Sequence, residues 1–90
     1  MAERHIDVRV LFFARARDLS KVPEAVIRVP EGSNLSDVKD RVGEAFPALH
    51  RLFEERSTVL SLNGVYPDDS RTAVVQEGDE IAVIPPVSGG

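Results

Sequence analysis

Apolar and polar residues alternate near the start of the chain, where Ile6, Val8, Val10 and Phe12 share one face of the extended segment 6–13. That period of two predicts a half-buried strand. Leu11 and Phe13 fall on the opposite face. Two apolar neighbours there predict either a binding patch or cover by a loop or by the chain's own helix. Residues 14–20, Ala-Arg-Ala-Arg-Asp-Leu-Ser, fit a helical turn or a loop with solvated arginines. A second strand is expected over residues 25–29, ended by Pro30-Glu31-Gly32, which is turn chemistry, and the two strands are expected to pair as a hairpin.

The period then changes. Asn34 is a good helix N-cap, with Asp37 placed to answer the free amides and the positive end of the helix dipole. Leu35, Val38, Val42 and either Ala45 or Phe46 recur at spacings of three and four, which predicts an amphipathic helix with one face for a sheet. Gly43 weakens it slightly, and Pro47 ends it at or near Phe46. Leu49, Leu52 and Phe53 predict a short second helix covering an edge of the core.

Residues 58–62 are expected to form a third strand, followed by Asn63-Gly64, the strongest short hairpin signal in the chain. Pro67-Asp68-Asp69-Ser70 makes another turn. Val74 and Val75 lead to Glu77-Gly78-Asp79-Glu80 and a last strand, 81–84, with Ile81 and Val83 inward and Ala82 and Ile84 on the other face. The order is strand, strand, helix, strand, then one or two short strands. Periodicity alone gives a small α+β domain. A helix across one face of a mixed sheet, with a hairpin before it and strands after it, is the β-grasp (ubiquitin-like) arrangement. That topology places the first and last strands side by side, with Phe13 near Ile84.

Composition narrows the function classes. Ninety residues suit one domain with a modest core. A net charge of −4 without a basic stripe argues against a nucleic-acid partner and favours a neutral or basic protein. No segment has the length and apolarity of a membrane span, and the N-terminus lacks a signal-peptide core, so a cytoplasmic protein is expected. With no cysteine, thiolate metal sites and thiol nucleophiles are excluded. His5 and His50 stand apart from any catalytic partner, and the turn carboxylates Asp68, Asp69, Glu77, Asp79 and Glu80 lack calcium-loop spacing, so no metal site is expected.

Chemistry is therefore expected at the end of the chain. Pro85 and Pro86 stop the last strand and favour an extended exit, so residues 1–84 are expected to form the domain and residues 85–90 a tail. Gly89 and Gly90 keep that tail thin near its carboxylate, which suits threading into a partner. The plainer alternative is a frayed terminus.

Val10-Leu11-Phe12-Phe13-Ala14 with Arg17-Asp18-Leu19, the Leu62-Asn63-Gly64 turn, Glu77-Gly78-Asp79-Glu80-Ile81 and above all Pro85-Pro86-Val87-Ser88-Gly89-Gly90 carry a resemblance over essentially the whole chain. They resemble the MoaD-type sulfur carriers, the small subunits of molybdopterin synthase. The resemblance implies a carrier that is no enzyme by itself and binds no cofactor. ATP is used by its activating partner, an adenylyltransferase of the ubiquitin-activating type. Gly90 would be adenylated and then thiocarboxylated, with Gly89 as the thin approach to it. The loaded tail would enter the large catalytic subunit and give sulfur to a cyclic pyranopterin phosphate, two such transfers building the dithiolene of the molybdenum cofactor. Phe13, Ile84, Pro85, Pro86, Val87 and Ser88 would meet the partner, with Arg17 beside them. Ile84 departs from the aromatic residue often found before the two prolines in that family. Two alternatives share the tail: a sulfur carrier for thiamine, cysteine or transfer-RNA thiolation, and a ubiquitin-like protein modifier.

Overall fold

The structure is a computed structural model that describes residues 3–86. The first alternating run forms strand β1 (His5–Phe12), with Ile6, Val8, Val10 and Phe12 all buried. Helix α1 (Ala14–Ser20) follows at once, settling the choice between turn and loop in favour of a helix. The abrupt change of direction uses Ala14 at φ 49°, and the helix ends on Lys21 at φ 67°, both in the left-handed region that non-glycine residues seldom occupy. Strand β2 (Glu24–Pro30) returns antiparallel to β1, with Val8 opposite Ile27 and Ile6 opposite Val29.

Helix α2 (Leu35–Ala45) begins on the expected cap. The Asn34 side chain accepts from the Asp37 backbone N–H at 2.8 Å, and the Asp37 carboxylate accepts from the Asn34 N–H at 3.0 Å. Both bonds satisfy donors that the helix end leaves free. Leu35, Val38 and Val42 bury the helix's apolar face against the sheet. Of the two candidates for the next position, Phe46 packs on the core, its ring edge-on to Phe12 at 5.2 Å, while Ala45 is exposed. At Gly43 the His50 imidazole packs close, so that a Cβ there would lie 3.1 Å from the ring.

A 3-10 turn (Pro47–Leu49) and helix α3 (His50–Glu54) form the expected short helical segment. Leu49 and Leu52 are fully buried, so they are part of the core and not a cover over its edge. Strand β3 (Val59–Leu62) and strand β4 (Glu80–Ile84) complete a four-stranded sheet in the order β2-β1-β4-β3. The two central strands, β1 and β4, run parallel, whereas both outer pairs are antiparallel. This is the β-grasp topology.

One turn signal behaves differently from expectation. Asn63 (φ 50°) and Gly64 (φ 82°) make the tight turn, and Leu62 and Val65 exchange both backbone bonds, but pairing stops at that single bridge. Pro67 and the bend that follows carry the chain away before a second strand can grow. Asn63 instead ties the turn to β4: its side chain accepts from the Glu80 N–H and donates to the Asp79 carboxylate. Val74 and Val75, which lead into the last turn, form no strand of their own. Val74 bridges only Asn34, and Val75 buries its side chain at the start of the final turn.

Candidate functional site

The sheet has one face in the core and one facing outward, and the outward face is not uniform. Along β1 its residues run Asp7, Arg9, Leu11, and along β4 they run Glu80, Ala82, Ile84. Because the strands are parallel, with Arg9 opposite Glu80 and Leu11 opposite Ala82, both change from charged to apolar in the same direction. The charged end is a lattice of pairs: Arg9 with Glu80 and Glu24, and Arg28 with Asp7. The hydrogen bond and charge of Asp7 push the Arg28 guanidinium still further above its ordinary range.

The apolar end is where β4 leaves the sheet. Ala82 and Ile84 are half-buried, Val59 of β3 lies opposite Ile84, and Phe13 stands just beyond the last residue of β1. Phe13 is held by its backbone on two sides. Its N–H donates to the Val83 carbonyl at 3.3 Å, and its own carbonyl accepts the Ala16 N–H at 2.9 Å, starting α1. The Phe13 backbone is therefore fixed at the corner between sheet and helix, while the residue remains 47% exposed. Beside it is a groove of about 350 Å³, mostly apolar, whose lining includes Leu11, Phe13, Arg17, Pro23 and Glu24.

Phe13, Arg17 and Ile84 are thus brought to one end of the molecule, two of them around a common groove. Pro85 is buried and Pro86 half-buried just after the end of β4. Val87, Ser88, Gly89 and Gly90 lie outside the described residues. Sequence reasoning missed Val59 and Pro23 as neighbours of this surface. The alternation of Val59 with Ser61 carried a signal for the first; the second depends on a strand pairing that local pattern does not encode.

Other parts of the molecule supply little competing chemistry. A larger depression, about 510 Å³, lies between the end of β2 and the start of α2, and its Asp37 is already committed to the helix cap. His5 approaches only Glu3, at 4.0 Å, and His50 lies over Gly43. Among the described residues there is no group of three or more His, Asp or Glu side chains placed to hold a metal, and no helix long and apolar enough to cross a membrane.

Comparison with known proteins agrees with this architecture over most of the chain. Residues 10–90 match the model of the ThiS family. A molybdopterin synthase sulfur carrier subunit of Arabidopsis thaliana is 45% identical over 86 residues, covering 94% of this chain and 84% of the plant protein. Among solved structures, SAMP1 of Haloferax volcanii superposes with a TM-score of 0.82 at 26% identity, covering 93% of this chain and 99% of that one. A putative molybdopterin converting factor subunit 1 from Pyrococcus furiosus gives 0.78 at 28% identity, covering 91% and 99%. A mixed sheet with a parallel central strand pair, a family model that matches residues 10–90, and relatives matched over most of their length have one common explanation: the chain belongs to the ThiS family.

Proposed function

We propose that this chain is the sulfur-carrying small subunit of molybdopterin synthase. The observation that carries the reading is the place where β4 ends. Ile84 leaves the sheet at its apolar end, beside Val59 and the corner held by Phe13, so a partner that covers this patch meets the root of the tail at the same time. The name borne by the 45% identical plant relative supports the same assignment.

The chain has no cysteine, so a sulfur cargo cannot ride on a side-chain thiol, and this is consistent with a carrier that uses the Gly90 carboxyl group, as the resemblance implies. A carboxylate is a poor electrophile because its charge repels nucleophiles and oxide is a poor leaving group. An adenylyltransferase partner supplies the remedy: a Gly90 carboxylate oxygen attacks the α-phosphate of ATP, pyrophosphate leaves, and the acyl adenylate forms. A sulfur nucleophile then displaces AMP, and the Gly90 thiocarboxylate results. In the large subunit the thiocarboxylate sulfur bonds to a carbon of the pterin precursor, and water then cleaves the acyl–sulfur bond, leaving the sulfur on the pterin and returning Gly90 to the carboxylate. Gly89, Val87 and Ser88 form the approach, Pro85 and Pro86 set its direction, and Phe13, Arg17 and Ile84 dock the body. The chain donates sulfur and needs no bound cofactor of its own.

The test has two stages. Incubation with ATP, an activating enzyme and a sulfur source should give an oxygen-to-sulfur mass gain confined to the C-terminal peptide. Adding the large subunit and the pterin precursor should then yield the dithiolene and restore the original mass. Loaded protein that gives no dithiolene would refute the assignment, and isopeptide adducts to lysines of other proteins in its place would establish the modifier reading.

A further inference from the structure

Strand β2 is an open edge of the sheet, and its exposed groups can be identified from the ladder. The Phe12 N–H donates to the Pro23 carbonyl, so in the β1 and β2 pairing it is Ala25, Ile27 and Val29 whose backbone groups face β1. The alternate residues, Glu24, Val26 and Arg28, turn theirs outward. The Arg28 carbonyl is reached by the Arg41 guanidinium at 3.3 Å. Pro23 and Pro30, which have no N–H, bound the usable edge at both ends. On the outward sheet face the same three side chains form a short pattern of acid, apolar, base, with Val26 at its centre 66% exposed.

Charges on an edge strand ordinarily prevent pairing. Here the pattern is self-complementary. An antiparallel two-fold with Val26 opposite Val26 of a second copy puts Glu24 opposite Arg28 of that copy, and Arg28 opposite its Glu24. Each of these pairs faces its partner with outward-directed backbone groups, and the Arg28 carbonyl, which already accepts from Arg41, has a second lone pair for the Glu24 N–H of the other copy. Within one chain Glu24 already lies 3.5 Å from Arg9, and Arg28 donates to Asp7 at 3.0 Å. Pairing would join these into a row of alternating sign: Arg9, Glu24, then Arg28 and Asp7 of the other copy. Opposite charges facing across strands stabilise a sheet, whereas a shift of register by two residues would lose both charge pairs.

We propose that the β2 edge is a homodimerisation surface, pairing two copies about Val26 into one continuous sheet. Strand β1 separates β2 from β4, so the root of the tail remains accessible in the pair. One short strand per copy makes a small interface, and the dimer is correspondingly weak, with a dissociation constant on the order of 100 µM.

Sedimentation equilibrium on the full chain, from about 10 µM to 1 mM, reads this directly. The average mass should climb towards twice that of the monomer. Val26→Lys should hold it at the monomer value, because two ammonium groups would meet at the axis. Glu24→Arg should weaken association at least tenfold, and combining it with Arg28→Glu should restore most of it. Thermal melts of each variant distinguish a lost interface from a lost fold. Since the chain contains no cysteine, Val26→Cys gives a second readout. A short bis-maleimide should cross-link it far better than Val74→Cys, another exposed position away from β2. A monomeric mass at 1 mM, association that survives Val26→Lys, or equal cross-linking at both positions would overturn the proposal.

Discussion

Truncating Phe13 to alanine tests whether the corner between β1 and α1 is part of the docking surface. A phenylalanine side chain presents roughly 200 Å² of apolar surface, and at 47% exposure about 90 Å² of it faces solvent. Covering that area with a partner at about 25 cal/mol per Å² contributes about 2.3 kcal/mol, a factor of about 50 in affinity. The fold has little stake in the same ring, which lies outside the buried core cluster. The two backbone bonds at this position, from its N–H to Val83 and from Ala16 to its carbonyl, do not depend on the side chain. Calorimetric titration of the unloaded chain into the large synthase subunit should therefore show about a 50-fold weaker complex for Phe13→Ala with the melting temperature nearly unchanged. Phe13→Asp should weaken it further, because a carboxylate would be drawn into a desolvated contact. Val74→Ala, an equally exposed apolar truncation beside the start of α2, should leave affinity alone. Binding of Phe13→Ala within about threefold of wild type, with an intact fold, would refute the placement of this ring in the interface.

Removing Gly89 and Gly90 should abolish sulfur loading, read by intact mass, while leaving the thermal melt and most large-subunit affinity in place; a chain that unfolds on this truncation would contradict the division between scaffold and tail. Asn34→Ala should cost about 1 kcal/mol in urea unfolding, since it removes the Asp37 cap and the bond from Asn34 Nδ2 to the Arg71 carbonyl. An unchanged urea midpoint would show that the cap is dispensable. Asp69 is held below the ordinary carboxylate range by the Arg71 side chain first and the Arg71 backbone N–H second. A depressed folded-state value means that its stabilising effect is present above about pH 4 and disappears as pH falls through the folded-state value. Arg71→Ala should raise the Asp69 midpoint in a carboxyl NMR titration, and equal midpoints would refute the pairing.

The elements set by local physics were legible in the chain. β1 and β4 follow from alternation, because one sheet face must be dry, and α2 follows from its spacing and from an Asn-x-x-Asp cap that closes as expected. Leu49 and Leu52 were recognised as apolar helix residues, but their depth was not legible, since burial there depends on how the helical segment meets α1 and the sheet. Asn63-Gly64 shows the opposite failure. The dipeptide fixed the turn but not its purpose, because whether a hairpin grows depends on the segment after Val65, and that segment is bent away. The site divides along the same line. The residues at the corner and along β4 were visible as apolar positions facing away from the core, whereas Val59 and Pro23 join them only through the pairings of β3 with β4 and of β2 with β1.

The parallel pairing of the two central strands is what turns these positions into a site. Were β1 and β4 antiparallel, the charged start of one would lie against the apolar end of the other, and the outer face would average to an unremarkable mixture of salt bridges and aliphatic groups. Run in parallel, Arg9 meets Glu80 and Leu11 meets Ala82, so the charges neutralise one another at one end and leave the other end apolar. That second end is also where β4 must release the chain. Apolar surface is non-directional in its attraction. Under the proposed function, the patch would be covered in turn by an activating enzyme and by an acceptor enzyme without a matched set of hydrogen bonds to either. Selectivity between them then falls to the polar rim, where Arg17 stands beside the groove, and to the depth and shape of the channel that each partner offers the tail. The two roles separate experimentally: changes at the patch should alter affinity for both partners in parallel, whereas changes in the tail should alter the chemistry that each performs on it.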